Sequence, residues 1–361
     1  MRFTAGTLLL TLLTLGFPLL LSSLALAETP LAAGVRGVAT RAPQEMKIDG
    51  DLSEFKDAFC TPVEYFHPNW KNRAAQFFYL WDDEAFYAGL RTLDETPANQ
   101  AADDRLWEGD GVEWYFDTRR GANFRNTAWE PGAVHCYWAG FKGTELVPRF
   151  CLRPGYLDAI KKIGVEVGAR RTKDGAEVEF KLPWANFPEF AAKAGAVIAV
   201  DSELCYSDGG PRVDRSFAFG SPLSVSQPAS LGKVQLVDKF ERGHWKQCGA
   251  VLMPMRVDVP WGQPTKAHAT GQIALPPNQL DAIGKVVFRL TDLEGKMLGE
   301  FPAAPTTFAV EGRFAKATAI WPIDLAAPGL HHVTAIVFDH DGQELTRIAP
   351  RLVSVGMQQG Y

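Results

Sequence analysis

The sequence predicts an all-β protein built as two β-sandwich domains. Three observations carry that expectation. Apolar and polar side chains alternate with a period of two in short runs, most clearly over Val112–Asp117. Turn signals such as Asp49-Gly50, Lys173-Asp174-Gly175 and Asp339-His340-Asp341-Gly342 punctuate these runs. The chain has 361 residues, too many for one typical domain and suited to two.

Composition narrows the function classes. Hydrophobic residues make up 46% and charged residues 22%, the balance of an ordinary globular chain. The formal net charge is -5 and no basic block occurs, which argues against nucleic acid as a partner. Residues 1–27 read as a signal peptide: Met1-Arg2 starts it, Leu8–Leu26 is mostly apolar, and Ala25-Leu26-Ala27 offers small residues before a cleavage point. Cleavage after Ala27 predicts a periplasmic or secreted protein; an uncleaved segment would leave it membrane-anchored. No later apolar run reaches membrane-spanning length.

In chain order, residues 28–42 are a lead-in expected to be partly mobile. The first sandwich is expected over 43–238. Ile48, Leu52 and Phe55 anchor the Asp49-Gly50 turn. Phe77–Trp81 and Ala85–Asp94 form a hairpin across Asp82-Asp83-Glu84. His135–Gly140 and Leu146–Cys151 form another. Val165–Arg170 and Ala176–Leu182 alternate cleanly. Pro183–Ala194 is a short helical stretch, Val197–Leu204 a strand, and Leu231–Val237 closes the domain. The charged stretch 239–250 reads as a linker. Over 251–361, short strands at roughly ten-residue spacing predict an immunoglobulin-like or fibronectin-like sandwich.

The mature chain holds five cysteines, so at least one is unpaired. Cys136 and Cys151 flank the Lys142-Gly143 turn at nearly equal distances, and a hairpin there brings them close enough to bridge. The alternative is two buried thiols. Zinc has no support, because no Cys-x-x-Cys pair occurs.

Catalytic signatures are missing. There is no Gly-x-Ser-x-Gly elbow, no His-Glu-x-x-His helix and no phosphate-binding glycine loop. Asp110, Glu113 and Asp117 offer carboxylates, but sequence places no catalytic partner opposite them. The informative stretch is Leu106–Asp117. Val112, Trp114 and Phe116 share one face, expected to be core. Glu113, Tyr115 and Asp117 share the other, expected to be wet and ligand-facing. Trp107 precedes the strand; its plain role is a core anchor, and its functional role is a stacking platform for a sugar ring. Asp49, Asp51 and Glu54 are candidate calcium ligands, weighed against turn capping.

Three blocks in order, Ile48-Asp49-Gly50…Leu52…Phe55, Leu80-Trp81-Asp82-Asp83…Phe86-Tyr87, and Trp107-Glu108-x-Asp110-x-Val112-Glu113-x-x-x-Asp117, resemble a family 9 carbohydrate-binding module. Those modules are related to the DOMON-like sandwiches, and the likeness runs from about residue 40 to Val237. It implies a jelly-roll or DOMON-like sandwich that binds a glycan or polysaccharide without catalysis, often with bound calcium and in support of plant-wall hydrolases. It implies stacking on Trp107 and hydrogen bonds from Asp94 and Glu113. The sequence departs from the pattern at two places: Val225 stands where a second clamp aromatic is expected, and Tyr137 where an Arg is expected. Tyr137, Trp138 or Trp70 are the substitutes in view.

Two other functions remain in play. A haem-binding DOMON-like redox protein needs an axial pair, for which His67, His135 and Met46 are the candidates. A cell-envelope scaffold that has lost sugar binding fits the change at Val225. In each reading the C-terminal sandwich is a spacer or a surface for a protein partner.

Overall fold

Strand β1 (Val35–Arg41) joins the two layers of the first domain, and the rest of that domain is arranged about it. The computed structural model describes residues 30–43, 45–63, 74–94, 99–119, 129, 133–142, 145–150, 164–173, 175–207, 209–248, 256–258, 266–273, 282–302, 309–311, 314–322, 329–347 and 350–355. At several strand positions, Tyr137 and Trp138 among them, the description is of backbone alone.

The chain is all-β. After β1 come β2 (Phe59–Val63), β3 (Ala74–Trp81), β4 (Ala85–Leu93), β5 (Gly111–Asp117) and β6 (Ala133–Lys142). Then follow β7 (Glu145–Phe150), β8 (Glu166–Arg171), β9 (Gly175–Pro183), β10 (Val197–Ser207), β11 (Arg212–Phe217) and β12 (Gly232–Val237). They form one sheet in the order β7-β6-β5-β10-β12-β1-β3-β4-β9-β8, with β11 on β10 and β2 on β3. β1 runs parallel to β12 from Val35 to Thr40, then parallel to β3 at Thr40 and Arg41. That change of partner lets the sheet fold over on itself.

The alternation read from the sequence decides what fills the fold. Trp114 of β5 stacks on Phe180 of β9 at 4.8 Å, and Phe116 lies edge-on to Phe86 of β4 at 5.3 Å. Val112, Trp114 and Phe116 join Phe77, Tyr79 and Trp81 of β3 in one buried core. Truncating a core aromatic of this kind to Ala costs about 3–5 kcal/mol. The opposite face of β3 and β4 is also covered, which explains why both faces of that hairpin are apolar. Leu52 and Phe55, on a 3-10 turn at Leu52–Phe55, pack there on Phe78, Leu80 and Tyr87.

That strap is fitted by glycines and one carboxyl. A Cβ at Gly168 would lie 2.6 Å from the Ile48 carbonyl oxygen, and Gly50 turns with φ at +87°. Between them Glu179 of β9 is fully buried, and its Oε2 accepts from the Asp49 and Gly50 amides at 2.9 and 2.6 Å. Its Oε1 has no partner among the described residues. Burial lifts this carboxyl to about 8, against the pull of those two amides.

Beyond β12 the expected linker is folded. A 3-10 turn at Arg242–His244 leads into the single α-turn α1 (Trp245–Cys248). Phe240 packs on Phe59 at 5.3 Å, and Trp245 is 4% exposed, so apolar burial fixes this stretch in place. The residues after it make two more sheets. One has the order β13 (Arg256–Asp258), β14 (Lys266–Ile273), β18 (Phe314–Pro322), β17 (Ala309–Glu311). The other has β16 (Met297–Pro302), β15 (Lys285–Thr291), β19 (Gly329–Phe338), β20 (Glu344–Arg347), with β21 (Arg351–Val355) also on β19. Arg242 forms an ion pair with Asp339 at the β19–β20 turn.

Three further expectations differ or fall outside. The lead-in over 28–42 contains β1, because Val35, Val38 and Ala39 are buried and the strand is paired on both edges. The helical stretch after Pro183 shrinks to a 3-10 turn at Trp184–Asn186. Cys151 lies outside the described residues, as does the side chain of Cys136. No helix among the described residues is long and apolar enough to cross a membrane.

Glu179 gives a pH test. Its native pKa of about 8 lies above the 4.5 of an unstrained glutamate, so the native state holds a proton the unfolded state has lost between those values. Its contribution to stability is therefore full below pH 4.5, falls as pH rises to about 8, and is flat above. Glu179→Gln, a neutral isostere, removes that component. Chemical denaturation from pH 5 to 9 should show the variant gaining on wild type with rising pH, by an amount on the order of 4 kcal/mol at most. Parallel curves would contradict the assignment.

Candidate functional site

The polar face of β5 faces away from the core, as the alternation requires, but it is not a wet surface. Glu113 is 4% exposed, and Tyr115 and Asp117 are fully buried. Burial follows from what the chain lays over that face. Leu106, Trp129 and Leu231 pack with Tyr115 and with Ala199 of β10. Trp107, Phe217 and Val225 lie half-buried around that cluster. Asn99 ties the approach down: its Nδ2 donates to the carbonyls of Leu106 and Asp110, at 2.6 and 3.0 Å.

Register then assembles a polar network. β5 and β10 pair antiparallel with Glu113 directly opposite Glu203. Like charges in that position repel, so partners are needed. The Tyr115 hydroxyl lies 2.6 Å from Glu113 Oε2 and 2.6 Å from Glu203 Oε2. Arg215 of β11 forks onto Glu203, donating from Nε to Oε1 and from Nη2 to Oε2, the latter at 2.7 Å. The Cys205 thiol donates toward Glu203 Oε1 at 3.4 Å and Glu113 Oε1 at 3.6 Å, and Arg212 approaches its sulfur at 3.6 Å. Burial and the two carboxylates push the Cys205 thiol up, so it stays protonated.

A second knot holds the loop beside this face. Asp201 of β10 is fully buried, and burial raises its carboxyl to about 6. Its Oδ1 accepts from the amides of Ser202 and Phe219, at 3.0 and 2.9 Å. Its Oδ2 accepts from the Gly220 amide at 3.1 Å and the Ser224 hydroxyl at 2.7 Å. Gly220 has no room for a side chain, because a Cβ would lie 2.3 Å from Asp201 Oδ2. The loop so fixed carries Leu223, 53% exposed, and Val225.

The sequence-predicted site residues are placed as follows. Trp107 and Glu113 lie on this outer face. Asp94 lines a cleft of about 20 Å³ with Asp110 and Cys205, room for roughly one water. The rest of its lining includes the core residues Leu90, Val112, Val178 and Leu204, so the cleft lies on the core side of the sheet and not with the Glu113 network. Strand register pairs Trp138 with Glu113 and Tyr137 with Trp114, so Trp138 is the one set beside Glu113. Glu203, Arg215 and Phe217 were not anticipated. Register across three strands brings them in; the sequence marked Val197–Leu204 as a strand without its partners.

Metal chemistry finds little here. Among the described residues, one group brings three ligating side chains within 4.8 Å of one another: Glu113, Glu203 and Cys205. A thiol and two flanking arginines do not suit calcium, which takes oxygen ligands. At the strap, Asp49 caps the Asp51 amide at 2.9 Å, Asp51 caps the Ser53 amide at 3.0 Å and pairs with Arg170 at 2.6 Å, and Glu54 accepts from the Ser53 hydroxyl at 3.1 Å. Those carboxylates serve the turn. His67 and the side chain of His135 lie outside the described residues.

Comparison with known proteins places the first domain. A family model described as carbohydrate family 9 binding domain-like matches residues 48–239, just over half of the chain. A carbohydrate-binding module of family 9 from Caldicellulosiruptor kristjanssonii, in complex with cellotriose, is 14% identical, covers 57% of this chain and 95% of its own, and has a TM-score of 0.42. The same organism's module in complex with glucose is 16% identical, covers 56% of this chain and 96% of its own, also with a TM-score of 0.42. No curated protein matches.

The Asp201 knot makes a local prediction. In Asp201→Asn the amide nitrogen replaces one acceptor oxygen, so either the Phe219 amide or the Gly220 amide loses its acceptor. Hydrogen exchange at the Phe219 and Gly220 amides should quicken about tenfold or more, with β5 amides unchanged, matching the loss of a hydrogen bond of about 1.5–3 kcal/mol to a charged acceptor. Unchanged exchange would show that the loop is held by other contacts.

Proposed function

The chain belongs to the carbohydrate family 9 binding domain-like family, and from that premise we propose that it is an exported, non-catalytic carbohydrate-binding protein. The observation that carries the reading is the half-buried Trp107 set beside the Glu113–Tyr115–Glu203–Arg215 network on one sheet face. A sugar presents an apolar C–H face and a rim of hydroxyls. An indole takes the first, and a network of carboxylates, a hydroxyl and a guanidinium takes the second.

Trp107 is the stacking residue in this proposal. Glu113 accepts from ligand hydroxyls, and Trp138 flanks it by register. Asp94, set at a cleft lined largely by core residues, has a weaker claim than Glu113. Tyr137 has the weaker claim, because it is registered opposite the core residue Trp114. Export rests on residues 1–27, which have the pattern of a cleavable signal. A supporting role in polysaccharide breakdown follows from the binding reading. The C-terminal sheets serve as spacer or as the surface for a protein partner.

A second reading, a cell-envelope scaffold that has lost sugar binding, is favoured by one observation. Glu113 is already hydrogen-bonded and only 4% exposed, so a ligand gains less from it than from an open carboxylate.

The test is binding of residues 28–361 to a glycan array, insoluble polysaccharides, cellotriose and glucose, with calcium present, beside Trp107→Ala. Binding by wild type and a loss of about tenfold or more in the variant, with unchanged folding, is the expected outcome. No binding to any of these glycans would shift the assignment to the scaffold.

A further inference from the structure

We propose that residues 238–248 are a rigid joint that fixes the sheet of β15, β16, β19, β20 and β21 against the first domain. The two then travel as one body and not as modules on a tether. The proposal does not depend on what the first domain binds.

The joint is anchored at its start. Asp238 follows β12 directly, and Arg41 at the end of β1 holds it twice. The Arg41 amide donates to the Asp238 carbonyl at 3.3 Å, and Nε donates to Oδ1 at 3.1 Å. Two residues on, Phe240 packs on Phe59 of β2, in the cluster of Val35, Val38 and Val237, so its ring belongs to the first domain. The 3-10 turn that follows closes on itself. The Glu241 amide donates to His244 Nδ1 at 3.1 Å, and the His244 amide donates to the Glu241 carbonyl at 3.0 Å. Little slack is left between Asp238 and α1.

The far end is anchored on the other domain. α1 lies against both β1 and β20. It is one turn long, too short to be helical on its own account, so packing holds it. His244 and Trp245 supply that packing: both are nearly inaccessible, and each ring lies edge-on to Phe240 at 5.7 Å. The charged contacts point the same way. Arg242 pairs with Asp339, 97 positions away in sequence, so the connectivity of the chain does not bring them together. Asp339 in turn accepts from the Gln343 amide at 2.7 Å, which ties the pair to the β19–β20 turn. The neighbouring Glu344 carboxyl is held below its usual range, first by a hydrogen bond from Arg347 and further by Lys246 of α1. Domains of one chain move relative to each other unless apolar contact holds them. A loose tether would leave Trp245 in water and Arg242 free to swing; here the first is buried and the second is paired across the boundary.

The experiment is nitrogen-15 relaxation on residues 28–361, comparing amides of β3, β4 and β9 with amides of β15 and β19. In wild type both sets should report one rotational correlation time. Two values, with the C-terminal set shorter by about 1.5-fold or more, are the mark of a tethered domain and overturn the proposal. Trp245→Ala combined with Arg242→Ala removes the wedge and the ion pair, and should produce that split while both sets keep a folded spectrum. A single correlation time in the double variant overturns the assignment to this joint. Should the double variant fail to fold, Arg242→Glu at this exposed position sets like charges against Asp339. A shorter C-terminal correlation time is then expected, and an unchanged one overturns the assignment.

Discussion

A carboxylate taken out of water must find donors, and this fold buries a row of them on each outer face of its sheet. On β5 and β10 the row is Asp117, Asp201, Glu113 and Glu203, all nearly or fully inaccessible. Each recruits a different element. Asp117 takes the Arg119 guanidinium at 2.8 Å and fixes the turn after β5. Asp201 takes the Phe219–Ser224 loop, Glu203 takes β11 through Arg215, and Glu113 shares the Tyr115 hydroxyl. The far sheet follows the same rule. Glu177 is bracketed by Arg91 and Arg170, and Glu179 holds the strap through two amides. The outer faces are thus polar without being wet, and the loops that cover them are specified by charge as much as by apolar contact.

This is also why the sequence shows some of the structure and hides the rest. Period-two alternation over Val112–Asp117 reports which way each side chain leaves the strand, and it does so correctly. It does not report what lies over the outward face, because Leu106, Trp129 and Leu231 are far apart in the chain. An acidic outward residue looks solvated in sequence and is buried here. Strand β1 was hidden for a related reason: Val35–Arg41 has no flanking turn pair and is strung among glycines and alanines, yet two parallel neighbours bury it. Arg215 was hidden because an arginine among Asp214, Arg212 and Ser216 looks like surface. Its meaning comes from the register with Cys205, which no local pattern encodes.

The candidate site uses the same construction for a different end. A network that only stabilised the sheet would close on itself. This one keeps one side partly open: Trp107 and Phe217 are half-buried, and Arg215 retains surface although Glu203 beneath it has none. Buried acids orient the residues that reach the surface, much as an outer layer of hydrogen bonds orients ligating groups elsewhere. The cost is the desolvation seen in the raised carboxyl of Asp201, about 6 against an ordinary 3.8. In return the loop bearing Leu223 and Val225 is held by three hydrogen bonds accepted by one side chain, from Phe219, Gly220 and Ser224.

The two flanks of this face are each set by side-chain hydrogen bonds to backbone rather than by an aromatic pair. One wall is Trp107, whose approach is tied by Asn99 to the backbone on both sides of Glu108. The other is the Asp201-held loop, which ends in aliphatic Leu223 and Val225. A loop of that kind presents no flat aromatic face. The loop therefore adds aliphatic contact at the edge of this face, while Trp107 and Phe217 pack half-buried around Tyr115, so the charged knot and the aromatic cluster fix neighbouring parts of one outer surface.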